Sequence, residues 1–591
     1  MPSKAGNNTP ESLKAKIEAA RGLNKADIVI KNGQYLDVFS GTFVPGDVAV
    51  FDDVIVGIDE AYEGVEEIDA KGAYLVPGFI DSHVHIESSM MTPARFQEVA
   101  LPCGTTSAIW DPHEIANVKG QEGIQWALDS SDGLLMDIFV MVPSCVPSTS
   151  ENMGFESSGF SLHAPDIRKF RDHPRVLGLA EMMNFPGLLY GDEDVHQKLL
   201  DFQGMKRDGH CPNLLGKDLN AYGVAGIHSC HESTRIDEAR EKLRKGVAVL
   251  IREGSCAKDA EELLPILDAY SSACVGLCSD DRNPLDIEES GHINCIVDMG
   301  LKQGQKPEDI FRAASFAPAR LYGLEDRGAI APGYIADFCL VKPQDGSTWA
   351  SGLAVGQVFK SGKKAVSKDL QEVSANRDDG LPGKNINIKD FPKKELQIKS
   401  PKENAKVRAI GVIPGQILTK NLESELKAVN GLLESDLSQD LLKIAVIERH
   451  HATGHKSMGF VNGFGLKEGA IVTSINHDSH NIIAVACDDD ALSTGLEKIK
   501  DIDGGIVVVD GKGQCESLAL PLGGLMTHEK PEFIAQRLKV LKTKAKAMGC
   551  LLDEPFLQLS FLALPVIPSL KITDRGLVDV DQFKLVDLLI D

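Results

Sequence analysis

Between Pro77 and about Gly323, short apolar segments alternate with stretches whose apolar residues recur at helical spacing. Such alternation is typical of βα units, whose parallel strands are buried on both faces. Eight candidate strands end at or near the following residues: His85, Asp111, Pro143, Glu181, His210, His231, Arg252 and Asp280. Eight strands are what a closed barrel requires, so the pattern predicts an α/β fold with a TIM-like (β/α)8 barrel over residues 77–324.

The segments on both sides of the predicted barrel change to short alternating strands separated by turns. Residues 28–30 and 48–50 show this pattern before the barrel, and residues 336–341 show it afterwards. Short strands bounded by turn residues pair with one another. We therefore expect one small β-sandwich that is split in sequence, with residues 1–76 and 325–365 as its two parts and the barrel inserted between them.

Two further segments complete the predicted organisation. Residues 366–404 are polar and contain many Lys and Asp with several Pro, which is typical of a linker or a loosely held segment. Residues 405–591 mix strands and helices and predict a C-terminal α+β domain. Near the N-terminus, residues 10–22 predict an amphipathic helix. Its apolar positions would share one face: Leu13, Ile17 and Ala20.

Composition narrows the class of partner. The 591-residue chain has a formal net charge of -24, whereas nucleic-acid and anionic membrane surfaces attract clustered Lys and Arg, so neither partner is expected. Its 12 cysteines include no Cys-x-x-Cys pair, which disfavours zinc ribbons and favours a reducing compartment. Residues 1–8 lack an apolar signal core, and no apolar run is long enough to span a bilayer. The sequence thus predicts a cytoplasmic protein.

The first predicted barrel strand ends in His83-Val84-His85. Side chains two positions apart on a strand point to the same side, so both imidazoles can reach one ion. In a barrel of this kind, catalytic residues collect at the carboxyl ends of the strands. Other strand ends supply residues that fit the same site: Glu181, His210, His231 and Asp280, with Asp281 as an alternative to Asp280.

This set of side chains indicates a metal centre. Imidazoles and carboxylates without a thiolate suit Mn, Fe or Zn. Four histidines with Glu181 as a bridging carboxylate and Asp280 as a terminal one predict two divalent ions per chain. Paired cations lower the pKa of a shared water and supply a hydroxide nucleophile. Asp280, beside that water, could take its proton and pass it to the leaving group.

Two motifs that follow the first and second strands add candidates near the substrate. Asp111-Pro112 forces an extended entry, so that His113 and Glu114 would open the next helix on the catalytic face. Glu87 follows the His83 and His85 pair and allows two interpretations, a helix-capping group or a carboxylate that faces the substrate. The sequence does not decide between them.

Taken together, these motifs resemble the amidohydrolase superfamily. The strongest are Pro77-Gly78-Phe79-Ile80-Asp81-x-His83-x-His85 and the later Gly328-x-Ile330-Ala331-Pro332-Gly333-Tyr334-x-Ala336-Asp337. Within that superfamily the chain resembles the bacterial-type adenine deaminase family over nearly its whole length. Six motifs carry this second resemblance: His83-Val84-His85-Ile86-Glu87-Ser88-Ser89-Met90, Asp111-Pro112-His113-Glu114-Ile115-Ala116-Asn117-Val118, Gly216-Lys217-Asp218-Leu219-Asn220-Ala221-Tyr222, Asp280-Asp281-Arg282-Asn283-Pro284, Gly463-Phe464-Gly465-Leu466-Lys467-x-Gly469-Ala470-Ile471 and Ser474-Ile475-x-His477-Asp478-Ser479-His480-Asn481.

The resemblance implies a hydrolase of C–N bonds in cyclic amidines, which converts adenine to hypoxanthine and ammonia in purine salvage. It implies an Mn or Fe centre whose ligands match six positions: His83, His85, Glu181, His210, His231 and Asp280. Asp280, His113 and Glu87 would be catalytic, and Glu114 and Asp281 would bind the substrate. A homo-oligomer, dimeric or larger, is expected. The chain departs from the family at Cys230, where an Asp usually precedes the ligand, and we interpret the nearby His228 as a bystander.

Three alternatives were weighed against this hypothesis. Another amidohydrolase reaction, the hydrolysis of a cyclic amide or an N-acyl group, would use the same metal set, because function depends on the substrate pocket. A non-catalytic assembly protein would have lost a ligand, and all six are present. The single-zinc nucleobase deaminase design needs a second thiolate, and Pro102-Cys103 has none after it.

The C-terminal unit adds histidines with no clear strand-end pattern: His450, His451, His455, His477 and His480. A separate metal site is one interpretation of these histidines, and surface or packing residues are the interpretation that we favour. Residues 477–480 could instead reach over the barrel mouth as part of a lid.

Overall fold

A computed structural model of the chain describes residues 9–150, 153–377 and 379–590. The expectation for residues 1–8 therefore lies outside the described residues. Within the described part, no helix is both long and apolar enough to cross a membrane.

Eight parallel strands form the centre of the described chain. They are, from first to eighth: Phe79–Val84, Thr105–Trp110, Asp137–Val142, Val176–Met182, Lys206–Gly209, Ser229–Cys230, Ala248–Arg252 and Val275–Cys278. The first five form one sheet and the last three form another, each in sequential order. Every residue of the first four strands is buried, as their almost continuous apolar runs require when both faces are covered.

Backbone contacts join the two parallel sheets at both edges. The first and eighth strands meet at a parallel bridge between Val84 and Asp280, where Asp280 N donates to His83 O at 3.0 Å. The two strands lie so close together that Gly276 has no room for a side chain, because a Cβ there would lie 2.5 Å from Ser82 Oγ. Beyond the other edge, His228 N donates to Arg207 O at 3.1 Å. The strand tips therefore converge on one end of the structure.

Helices cover the parallel strands and follow most of them. In and around this part of the chain they are Pro10–Ala20, Pro93–Ala100, His113–Ser130, Ala164–Arg168, Phe185–Tyr190, Glu193–Asp201, Gly216–Val224, Ile236–Arg244, Ala260–Leu263, Pro284–Ser290, Ile293–Lys302, Pro307–Ala314 and Phe316–Tyr322. Several begin with the usual N-terminal signals. Thr92 Oγ1 accepts from Arg95 N ahead of a proline, and Asn283 does the same for Asp286 N.

Two further sheets lie next to the parallel set, and one of them combines strands from before and after it. The four-stranded sheet contains, in spatial order, Val54–Ile58, Val48–Phe51, Ala26–Lys31 and Gly64–Asp69. The six-stranded sheet contains Lys363–Lys364, Leu353–Lys360, Phe338–Pro343, Tyr74–Pro77, Gln34–Asp37 and Thr42–Pro45. Tyr74–Pro77 pairs antiparallel with Phe338–Pro343, so the chain enters and leaves the parallel set through neighbouring strands.

The C-terminal unit is built on a nine-stranded sheet. Its strands are Thr419–Lys427, Asn404–Val412, Lys456–Asn462, Leu441–Ile447, Ile482–Ala486, Ala470–Thr473, Gly505–Val509 and Cys515–Ala519 in spatial order, with Leu589–Ile590 paired to the second. A three-stranded sheet contains Leu570–Thr573, Gly576–Asp579 and Lys584–Val586, and Ile398–Lys399 pairs with Leu432–Leu433. Its helices are Asp489–Asp501, Pro531–Ala547 and Pro555–Ser560.

Two local expectations differ from the structure. The first helix, Pro10–Ala20, buries Lys16 and Ala19, whereas Leu13 and Ile17 are about half exposed. Lys16 is drawn inward because its Nζ lies 2.8 Å from Asp53 Oδ1, an ion pair that the apolar spacing did not reveal.

The segment 366–404, expected to be a linker, is packed rather than loosely held. It begins with a helix, Ser367–Ala375, and Ile386 and Leu396 are buried in the same core as Val472.

A buried ion network fastens the parallel strands to the six-stranded sheet. Lys360 Nζ lies 2.8 Å from Asp337 Oδ2 and 2.9 Å from Asp137 Oδ2, at the start of the third parallel strand. Arg327 Nη1 reaches the same Asp137 oxygen at 2.6 Å. Because buried charges are tolerated only when paired, these four residues fix how the two parts pack. Asp337, the last residue of the motif that begins at Gly328, therefore has a structural role.

We predict that Lys360→Met destabilises the protein by about 3–5 kcal/mol, because it leaves the Asp337 carboxylate buried without its cation. Chemical denaturation followed by fluorescence would measure the free energy of unfolding. Lys363→Met is the matched control, since Lys363 is exposed on the adjacent short strand and should change stability little. Equal stability of the two variants would contradict the proposed role of the network.

Candidate active site

The strand tips bring the predicted ligands into one buried cluster. His83 lies within the first parallel strand and His85 directly follows it, and their Nε2 atoms are 3.1 Å apart. His85 Nδ1 lies 3.0 Å from Asp111 O. A backbone carbonyl accepts a hydrogen bond from a protonated Nδ1, which leaves the Nε2 lone pair for a cation. The imidazole of His231 stacks on that of His83 at 4.0 Å.

Glu181, at the end of the fourth strand, lies at the centre of this cluster. Its Oε1 is 3.6 Å from His83 Nε2 and 3.3 Å from His85 Nε2. Its Oε2 is 2.6 Å from His210 Nδ1 and 3.3 Å from His231 Nε2. The two oxygens thus face two separate pairs of imidazoles. This is the arrangement expected of a carboxylate that bridges two cation positions.

The eighth strand resolves the choice between Asp280 and Asp281. Asp280 Oδ1 lies 3.2 Å from His85 Nε2 and 3.5 Å from His83 Nε2, so Asp280 belongs to the cluster. Although burial opposes ionisation, His83 and His85 hold the pKa of Asp280 well below its usual range. The carboxylate of Asp281 points elsewhere and accepts from Ser88 Oγ at 2.5 Å.

Three residues of the site were not identified as such from the sequence. Asp111 Oδ2 lies 3.1 Å from His113 Nδ1. Glu232 accepts from Arg252, and Arg252 Nη1 also reaches Asp280 Oδ2 at 3.0 Å. All three follow or end a parallel strand, so their position at a strand end is the feature by which the sequence could have identified them. Their roles depend on partners from other strands, which a single strand end does not reveal.

The residues proposed to lie near the substrate take different positions. His113 lies between two carboxylates, with Nδ1 towards Asp111 and Nε2 3.5 Å from Asp478 Oδ1. Glu87 accepts from Trp110 Nε1 at 2.7 Å and from Ile115 N at 3.1 Å. Both of its oxygens are therefore engaged by protein donors, and these contacts correspond to the helix-capping interpretation of Glu87.

Glu114 belongs to a second polar group beside the cluster. Its Oε1 accepts from Ser88 Oγ at 3.1 Å, and the same hydroxyl binds Asp281. Burial raises the pKa of Glu114 to about 8. A carboxyl with such a pKa can hold a proton near neutral pH and act as a hydrogen-bond donor or acceptor.

The C-terminal unit closes the cavity above the strand tips. His477 and Asp478 line it, together with three apolar residues: Ile417, Phe561 and Leu564. His477 stacks on the Phe561 ring at 4.4 Å, and both are buried. Of the two interpretations of residues 477–480, the lid is the one that these contacts favour. His480 is also buried, His450 is half-buried and His451 is exposed, and none of the three lines the cavity.

The residues fit divalent cations. Several groups of His, Asp and Glu have possible ligand atoms within 4.8 Å of one another. These groups share the residues His83, His85 and Glu181, and every member is buried. His210 Nε2 and His231 Nδ1, the ring nitrogens that do not face Glu181, are buried and have no hydrogen-bond partner among the described residues. The cluster could therefore hold metal at neutral imidazoles and ionised carboxylates.

Known protein families match both parts of the chain that contribute residues to this site. Residues 74–365 match the model of the amidohydrolase family, and residues 416–584 match that of the adenine deaminase C-terminal domain. Adenine deaminase of Brucella suis biovar 1 (strain 1330) is 47% identical over 571 residues, covering 96% of both chains. The chain belongs to the adenine deaminase family.

Other members of the adenine deaminase family are similar along the same length. Adenine deaminase of Cereibacter sphaeroides (strain ATCC 17025 / ATH 2.4.3) is 45% identical, covering 97% of this chain and 99% of the relative. Among solved structures, L-hydantoinase (dihydropyrimidinase) from Arthrobacter aurescens matches at 16% identity with a TM-score of 0.42, covering 57% of this chain and 96% of its own.

This adenine deaminase family member carries a thiol pair behind the predicted histidine ligands. Cys230, at the position where the resemblance implies an acidic residue, lies with its Sγ 3.5 Å from Cys211 Sγ and 3.3 Å from Lys242 Nζ. Although burial opposes ionisation, the Cys211 thiol and the Lys242 ammonium hold the pKa of Cys230 well below its usual range. The Lys242 cation thus supports an anionic group at this position, as it would support a carboxylate.

We predict that His231→Ala lowers the metal content of the purified, Mn-loaded protein by about one equivalent, because it removes a ring atom facing Glu181. Elemental analysis by mass spectrometry would measure this. His228→Ala is the matched control. His228 Nδ1 faces Arg207 O at 2.6 Å, outside the cluster, so metal content should stay at the wild-type level. The same content in both variants would contradict the ligand assignment.

Proposed function

We propose that this chain hydrolyses adenine to hypoxanthine and ammonia. The observation that carries the proposal is the near full-length similarity to proteins named adenine deaminase, at 47% identity over 96% of the chain. It spans the strand-tip cluster and the C-terminal residues that line the same cavity. A role in purine salvage follows from this reaction as an expectation.

We infer that the cluster holds two divalent ions, Mn or Fe, with Zn as an alternative. His83, His85 and Asp280 would hold one, His210 and His231 the other, and Glu181 would bridge both. When bound, such ions lower the pKa of water and so provide a nucleophile near neutral pH. The overlap of the donor groups at Glu181 supports two positions rather than one.

We propose that Asp280 moves the protons that the reaction requires. Arg252 occupies its Oδ2, so that Oδ1 is the oxygen that faces the cluster. Hydrolytic deamination takes a proton from water and delivers one to the departing amine. A carboxylate with one oxygen facing the cluster can perform both transfers.

We propose that His113 stabilises charge on the purine ring. Both of its ring nitrogens face carboxylates, Asp111 and Asp478, which favours the doubly protonated imidazolium. An imidazolium in a water-poor cavity stabilises negative charge that develops on the ring during attack. Glu87 stabilises the first turn of the same helix, because its carboxylate accepts a hydrogen bond from Ile115 N.

We infer that the two parallel sheets form a (β/α)8 barrel, because contacts join them at both edges. The proposed domains are the split β-sandwich, residues 1–76 and 325–365, the barrel, residues 77–324, and the C-terminal α+β domain, residues 405–591. Pairing of strands from before and after the barrel supports the split sandwich. A homo-oligomer and a cytoplasmic location remain expectations.

We predict metal-dependent release of ammonia from adenine, with hypoxanthine as the product. Absorbance of the purine and chromatography of the product would follow the reaction with Mn-loaded protein, and chelated protein would be the control. Deamination should disappear on chelation and return on reloading. Absence of turnover in protein that retains two metal equivalents would reject adenine as the substrate.

We predict that Asp280→Asn lowers kcat by about 10²- to 10⁴-fold, the usual contribution of a general acid–base group. Metal content must be measured on the same sample, because Asp280 also faces the ligand histidines. Asp510→Asn, at an exposed turn of the C-terminal unit, is the control and should leave kcat unchanged. Nearly full turnover by Asp280→Asn with its metal intact would exclude the proton-transfer role.

A further inference from the structure

A second buried polar group lies beside the metal cluster and is formed by two parts of the chain. Ser88 Oγ donates to Asp281 Oδ1 at 2.5 Å and to Glu114 Oε1 at 3.1 Å. His477, from the C-terminal unit, places Nδ1 3.6 Å from Glu114 Oε1 and Nε2 4.0 Å from Asp281 Oδ1. The group therefore combines carboxylates from the barrel with an imidazole from the C-terminal unit.

Two atoms of this group have no hydrogen-bond partner among the described residues although they are buried. They are His477 Nε2 and Glu114 Oε2. Buried polar atoms are almost always paired, and unpaired ones at a cavity are commonly those that meet a ligand. His477 lines the same cavity as the metal cluster, and only 2% of it is exposed.

The orientation of His477 is fixed without using its Nε2 atom. Its ring lies parallel to that of Phe561 at 4.4 Å and 6°. Its Nδ1 faces Glu114 and Asp478, each at 3.6 Å. An imidazole held by stacking on one face and by carboxylates at Nδ1 presents its remaining nitrogen in a defined direction. This is what recognition of one ligand atom requires.

The chemistry of adenine determines which edge such a group can bind. Each edge of adenine pairs a ring acceptor with a donor, and on two edges the donor is the C6 amine, which must leave in the reaction. The N3 and N9–H edge lies away from C6 and is unchanged by deamination. A hydrogen-bond donor such as His477 Nε2–H, with a carboxylate beside it, is complementary to the N3 acceptor and the N9–H donor of this edge.

We propose that His477 is a specificity-determining residue that donates from Nε2 to N3 of adenine, while the Asp281 carboxylate, which lines the same cavity, accepts from N9–H. The inference rests on the proposed function and deepens it. It assigns recognition of the free base to a contact between the barrel and the C-terminal unit. A substituent at N9 would remove the donated hydrogen and collide with the Asp281 carboxylate.

The test compares adenine with 3-deazaadenine, in which C–H replaces N3. The wild-type protein should prefer adenine in kcat/KM by about 10- to 100-fold, as expected for one well-placed hydrogen bond to a base. His477→Phe keeps the stacking on Phe561 but loses the donor, so this preference should fall to below about threefold, mainly through a higher KM for adenine. His477→Gln restores a donor near Nε2 and should recover most of the preference. His451→Phe, on an exposed histidine of the same unit, should leave it unchanged.

Two results would overturn the proposal. Equal loss of activity on both bases in His477→Phe, with the preference kept, would show that His477 acts only on structure. Loss of a bound metal equivalent in that variant would show instead that Glu114, Asp281 and His477 hold a cation, since their ligand atoms lie within 4.8 Å.

Failure of the proposed function can be told apart from failure of this inference. If the Mn-loaded wild type does not deaminate adenine, calorimetric titration of adenine and 3-deazaadenine still compares their affinities in wild type and His477→Phe. A preference for adenine that disappears only in the variant supports recognition by His477. Equal affinities of the two bases in the wild type reject it.

Discussion

The site depends on one buried carboxylate, that of Glu181, which five imidazoles approach to within 3.6 Å. A carboxylate taken out of water is costly unless positive charge and hydrogen bonds compensate it. Cations bound between Glu181 and the histidines would supply that charge. The strand tips therefore converge on a buried carboxylate that needs a compensating positive charge. Metal binding at Glu181 would thus be coupled to the packing of the strands.

The C-terminal unit completes the site and does more than cover it. Ser157, in the loop after the third strand, donates through its N and Oγ to Asp574 and accepts at its carbonyl from Asn481 Nδ2 at 2.8 Å. This contact docks the loop beside the segment that carries His477 and Asp478. Because Asp478 faces His113, the position of His113 depends on this docking. Loss of the docking should thus disturb the proposed charge stabilisation by His113 and the proposed recognition by His477 together.

The sequence predicted the parts of the site that local pattern determines. Buried parallel strands are almost continuous apolar runs, so their polar ends at His83, Glu181 and Asp280 are visible without a structure. The face of the first helix was predicted wrongly, because the ion pair of Lys16 with Asp53 outweighs apolar spacing. The positions of Asp478 and His477 could not be derived, since they depend on contacts between residues hundreds of positions apart. Motif similarity indicated these residues but not their partners.

Arg252 shows how a group outside the predicted site can set its chemistry. Its guanidinium binds Glu232, Asp259 and Asp280 at once, and it is fully buried. Three carboxylates around one cation leave net negative charge, which favours divalent ions at the neighbouring histidines. The same guanidinium occupies Oδ2 of Asp280, so a proton taken up by this carboxylate resides on Oδ1, the oxygen nearest His85. In the proposed mechanism, a seventh-strand arginine that the sequence analysis did not assign to the site therefore selects the oxygen of Asp280 that carries the proton.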